Sequence, residues 1–133
     1  MLEAEGKAGK NWLIKDDVKY CRPMNDATEV RKVLVTGSAG RVGQAVVLEL
    51  LSRGHLVLGY DRHPSPNLDN AFVADLSDTE TLTEAMDSVE TLIHLAATPD
   101  DVDDVPAELF PPNINSLYHV METARVAGVK RIV

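Results

Sequence analysis

Thr36-Gly37-Ser38-Ala39-Gly40-Arg41-Val42-Gly43 follows the apolar run Val33-Leu34-Val35 and opens an amphipathic stretch from Gln44 to Arg53. A strand, a turn with three glycines and a helix, in that order, make a cradle for phosphate. A Cβ at Gly37 would obstruct the tight turn, and one at Gly40 would hold a pyrophosphate away from the backbone. At Gly43 a side chain would push the helix off the strand. Arg41 and Val42 supply early N–H groups of that helix, which face an anion with the helix dipole behind them. The glycines read G-x-x-G-x-x-G rather than the more familiar G-x-G-x-x-G. Their place between a strand pattern and a helix pattern favours nucleotide binding over an ordinary strand-to-helix turn.

The next strand ends on an acid. His55 to Tyr60 reads as strand two, with Asp61 at its carboxyl end and Arg62 beside it. An acid about 20 residues beyond such glycines accepts hydrogen bonds from both hydroxyls of an adenosine ribose. The same carboxylate repels a 2′-phosphate, so Asp61 favours NAD over NADP. Arg62 pulls the other way, since a guanidinium can stack on adenine or pair with a 2′-phosphate. The competing reading is a solvated turn pair before Pro64 and Pro66.

The remaining polar groups carry weaker chemistry. Asp100, Asp101, Asp103 and Asp104 form the densest acidic cluster, but no calcium-loop glycine or closing glutamate accompanies them. A solvated lid over the substrate side is the better reading, and no metal is expected. His94 lies in an apolar strand, where its ring packs or bonds locally rather than acting as a base. His55, His63 and His119 lack the partner acids or thiols of a metal site.

These residues need a scaffold, and the pattern from Arg31 onward supplies one. Strands are expected at Lys32–Thr36, at 55–60, at Ala71–Ala74, at Thr91–Ala96 and at Val129–Val133. Helix A is expected at about Val42 to Arg53, with Val46/Leu50 and Val47/Leu51 facing the sheet and Gly54 closing it. Ser77 and Glu80 form a capping box for a helix ending near Met86. After an acidic, proline-rich loop from Thr98 to Pro112, the apolar stripe Ile114, Leu117, Tyr118, Met121 and Ala124 reads as core, and Gly128 closes that helix. Parallel pairing with right-handed crossovers gives a doubly wound α/β sheet in the order 3-2-1-4-5. Ligand then sits between strands one and four, at their carboxyl ends.

At 133 residues and 44% hydrophobic content, one soluble domain is expected over residues 30–133, behind a polar amino-terminal extension over 1–29 that docks through Trp12. A net charge of −8 argues against nucleic acid and against anionic membrane surfaces. No apolar run is long enough to span a bilayer. Cys21 is the single cysteine, so no internal disulfide forms and the cytoplasm is the simplest location.

From about Lys32 to Val133 the chain resembles the amino-terminal half of an extended short-chain dehydrogenase/reductase, the group of NAD-dependent epimerases, dehydratases and uronate dehydrogenases. Thr36 to Gly43 match that family's T-G-x-x-G-x-x-G, and Asp61 matches its acid after strand two. Asp75-Leu76 match the pair that contacts adenine, and His94-Leu95-Ala96-Ala97 match the segment that passes beneath the cofactor. Asn113 is kept from an Asn-x-x-Gly-Thr motif, but Ser116 and Leu117 stand where Gly-Thr would. The resemblance implies a Rossmann-type fold, NAD as cofactor and a sugar or sugar-acid substrate in the intact enzyme. The family's catalytic serine and Tyr-x-x-x-Lys lie beyond the fifth strand. Tyr20, Tyr60 and Tyr118 are the tyrosines here, and none has a lysine four residues on. No catalytic residue is therefore assigned, and no turnover is expected from these 133 residues alone. A bare edge on strand five makes a homodimer an expectation too. The alternative class is a non-catalytic module that binds a dinucleotide or a partner through the same crevice.

Overall fold

The computed structural model describes residues 29–98 and 106–133. Its elements run β1 (Lys32–Thr36), α1 (Arg41–Ser52), β2 (Leu56–Asp61), β3 (Ala71–Val73), α2 (Thr79–Ala85), β4 (Thr91–His94), α3 (Pro106–Ala127) and β5 (Arg131–Ile132). The five strands pair in parallel in the order β3-β2-β1-β4-β5. This is the doubly wound α/β sheet that the sequence pattern demands. Trp12, Tyr20, Cys21 and the acidic cluster at Asp100, Asp101, Asp103 and Asp104 lie outside the described residues.

The central strand is apolar because both its faces are covered. Leu34 joins Tyr60, Leu82, Met86, Leu92, Val120 and Ala124 on one face, under α2 and α3. Val33 and Val35 join Val47 and Val57 on the other, under α1. A parallel strand buried on both faces reads as a continuous hydrophobic run, as Val33-Leu34-Val35 does.

Four local expectations are corrected. Leu51 is 40% exposed, so α1 seats only Val46, Val47 and Leu50 against the sheet. Asp78, not Ser77, caps α2: its carboxylate accepts from Thr81 N–H at 3.1 Å and from the Thr81 hydroxyl at 2.7 Å. Ser77 is otherwise engaged, its N–H donating to Asp75 Oδ1 at 2.9 Å. On α3 the buried residues are Val120 and Ala124, while Ile114, Leu117, Tyr118 and Met121 are exposed. Ala124 is core as expected, but Val120 rather than Met121 seats beside it, and a shift of one residue turns a helix by about 100°, which carries Tyr118 and Met121 outward. The same helix begins at Pro106 and runs through Pro111 and Pro112, where the sequence reading keeps a loop. Each interior proline forfeits an i→i−4 bond, which is why the residues there read as non-helical.

Candidate functional site

β1 and β4 are neighbours whose following segments leave the sheet in opposite directions, so their carboxyl ends open a crevice. A cleft of about 350 Å³ lies there. Gly37 and Gly40 form its floor, Asp61 and Arg62 one end, and Asp75 and Leu76 the adjacent wall. Leu95, Ala96, Ala97 and Asn113 close the other side. These sequence candidates, dispersed over 77 residues of chain, converge on one space. Arg41, Val42 and Gly43 do not line it. Arg41 and Val42 carry exposed side chains in the first turn of α1, and Gly43 is buried behind the turn.

Each glycine has its own reason. Gly37 has φ +74°, and its N–H donates to Tyr60 O at 2.8 Å. A Cβ there would stand 2.8 Å from Ala96 N, so the turn packs directly on the exit of β4. At Gly40 a Cβ meets only Gly37 O, at 3.2 Å, and otherwise open space. At Gly43 a Cβ would collide with Gly37 O and lie 2.8 Å from Gly37 C. The obstacle at Gly43 is thus the turn rather than the strand, contrary to the sequence reading. Gly40 caps α1 with no side-chain hydrogen bond and no acid follows in the first turn. The early N–H groups of α1 have no intrahelical acceptors and no side-chain cap to satisfy them.

Asp61 is tied into this loop. Its Oδ2 accepts from Ala39 N–H at 3.0 Å and its Oδ1 from His63 N–H at 2.9 Å. Each oxygen keeps a further lone pair for a ligand hydroxyl. Asp75 is held ionised below the ordinary carboxylate range, first by the Ser77 N–H and hydroxyl and last by the charge of Arg62. Tyr60 is buried beneath the cleft, its hydroxyl donating to Asp75 O at 2.9 Å; burial, with Asp78 and Asp75, pushes it up to about 12. It is a strut under Asp75 rather than an acid.

On the far side, Asn113 explains its own position. Its Oδ1 accepts from Thr98 N–H at 2.8 Å and its Nδ2 donates to Thr98 O at 3.4 Å, joining α3 to the segment that leaves β4. Thr98 and Ser116 also line the cleft. Sequence reasoning missed both: Ser116 registers there only as a departure from a motif, and Thr98 belongs to no motif. The Ser116 hydroxyl donates to Asn113 O at 3.1 Å.

His94 bonds locally, as its apolar strand suggests. Thr36 Oγ1 lies 2.7 Å from His94 Nδ1, and Ala96 N–H reaches the same Oγ1 at 3.4 Å. Burial depresses the His94 pKa below the ordinary 6.5. A depressed folded pKa means the unfolded chain binds the proton first, so stability is full above about pH 6.5 and declines as pH falls below it. We expect thermal melts in mildly acidic buffer to show this loss, and His94→Gln to flatten it. An unchanged profile in that variant would contradict the assignment.

The model of the NAD dependent epimerase/dehydratase family matches residues 33–133. The chain belongs to that family. A 3 beta-hydroxysteroid dehydrogenase/Delta 5-->4-isomerase of Mycobacterium tuberculosis is 35% identical over 126 residues, covering 84% of this chain and 34% of that protein. Among solved structures, a short-chain dehydrogenase/reductase superfamily protein from Agrobacterium tumefaciens with bound NAD is 36% identical, with a TM-score of 0.68 over 76% of this chain and 31% of that one. Uronate dehydrogenase from the same organism is 26% identical, with a TM-score of 0.64 over 77% and 39%. The chain spans about a third of the length of the curated relatives it matches. Among the described residues, no helix is long and apolar enough to cross a membrane.

Proposed function

We propose that residues 30–133 form the NAD-binding part of an oxidoreductase, epimerase or dehydratase, with the dinucleotide lying across the β1/β4 crevice. The observation that carries this is Gly40, whose missing side chain leaves open space at the head of an uncapped helix. Gly37 and Gly40, with the N–H groups of Arg41 and Val42, would hold the pyrophosphate, and Gly43 keeps the helix close. Asp61 would take the adenosine ribose, Arg62 and Asp75-Leu76 the adenine, and Leu95-Ala96-Ala97 with Asn113 the nicotinamide side. When bound, the cofactor supplies the hydride acceptor or donor. The substrate of the whole protein is a sugar or sugar acid, which the likeness to uronate dehydrogenase supports. A second reading, a 3β-hydroxysteroid, is favoured by the 35% identity to the mycobacterial enzyme. Cytoplasmic residence is part of the proposal, supported by a single cysteine.

Calorimetric titration with each cofactor tests the binding claim. We expect NAD to bind roughly tenfold or more tightly than NADP, because Asp61 would confront the 2′-phosphate. Asp61→Ala should weaken NAD and remove the preference. Equal or tighter NADP binding by the unaltered chain would put Arg62 in control and contradict the Asp61 role.

A further inference from the structure

The glycine turn and the segment after β2 are joined by a bond that neither motif foretells. The hydroxyl oxygens of Ser38 and Ser65 lie 2.6 Å apart, with Ser38 1% and Ser65 8% exposed. The bond passes over Gly59, where a Cβ would stand 2.7 Å from Ser38 Oγ and 3.1 Å from Ser65 Oγ. Leu68 closes the same spot and packs on the apolar cluster between β1 and α1. Water has little access there, so removing one hydroxyl leaves the other without a partner. The next residue of the turn makes a second tie, Ala39 N–H to Asp61 Oδ2 at 3.0 Å. Consecutive residues of the glycine turn therefore hold the following segment at Asp61 and at Ser65. Between these anchors, Arg62 and His63 stand exposed on the cleft wall. Ser38 and Ser65 do not line the cleft.

We infer that Ser38 and Ser65 form a positioning latch, which keeps the ribose-side segment in register with the phosphate-side turn so that one ligand engages both. This rests on the dinucleotide reading above. The latch acts through Asp61, Arg62 and Gly40 and touches no ligand itself. Its effect must therefore depend on how far the ligand reaches. Adenosine needs the Asp61 side alone, whereas ADP needs both sides in their mutual geometry.

The test uses the 133-residue chain, with Ser65→Ala, Ser38→Ala and the double variant. ADP is titrated by calorimetry, and adenosine by amide chemical shifts. We expect Ser65→Ala to raise the ADP Kd roughly fivefold to tenfold and to leave adenosine within about twofold. Ser38→Ala should match it, and the double variant should be no worse than either, because both remove one bond. Ser38→Ala reads the same bond from the other partner should Ser65→Ala fold poorly. A general loosening of the domain would weaken adenosine and ADP together, and that result would overturn the latch. So would unchanged ADP binding in both single variants. An unaltered chain that binds no ADP would overturn the dinucleotide reading itself, and the latch with it.

Discussion

Gly40→Val should weaken NAD binding by about a hundredfold or more, equal to about 2.7 kcal/mol, while the fold survives. The two halves of this expectation have separate causes. A Cβ at Gly40 meets nothing but Gly37 O, at 3.2 Å, so the domain accepts it with a small local adjustment. The added methyls then occupy the space at the head of α1 where a pyrophosphate would meet the helix N–H groups. Calorimetry for binding and a thermal melt for stability read the two halves independently. Normal NAD binding by this variant would contradict the phosphate cradle.

Gly43→Ala, three residues along the same motif, should instead cost the fold. Here the Cβ collides with the carbonyl of Gly37 and presses on Ser38 Cα at 2.9 Å, both backbone atoms of a turn that is itself packed on Ala96. Neither side can yield by a rotamer change, so the helix must move off the turn. Overpacking of this kind costs about 3 kcal/mol, a large share of a small domain's stability. Chemical denaturation should show that loss, with NAD affinity of the remaining folded protein also reduced. A wild-type denaturation midpoint would mean that the helix has slack that these contacts do not suggest.

The legible parts of the sequence are those where one residue type answers one physical demand. β1 is legible at its observed bounds, Lys32–Thr36, because the apolar run Val33-Leu34-Val35, covered on both faces, is uninterrupted and Gly37 follows directly. The glycines are legible because a side chain is strained at φ +74° at Gly37, and a Cβ at Gly37 or Gly43 meets backbone atoms that cannot step aside. Sheet order follows from parallel pairing and right-handed crossovers wound outward from β1. What stayed hidden depended on partners distant in sequence. The phase of α3 is set by the seating of Val120 and Ala124 in the core and by Asn113 on Thr98, so Tyr118 and Met121 face outward despite ideal spacing. Ser77 is a sound cap on propensity, but its hydroxyl and its N–H both turn back to the Asp75 carboxylate, and Asp78 one residue on takes the cap. The Ser38–Ser65 bond joins two common residues 27 positions apart, and no local rule connects them.

In the proposed complex a dinucleotide lies across the β1/β4 crevice with its adenosine toward Asp61. Amide chemical-shift mapping of the isotope-labelled chain during titration with NAD tests this most directly. We expect saturable shifts at Gly37, Ala39, Gly40, Asp61, Arg62, Asp75 and Ala96, with ADP reproducing those at the Asp61 end. Shifts confined to the groove between α2 and α3 around Thr83 and Tyr118, or no saturable shift at all, would contradict it.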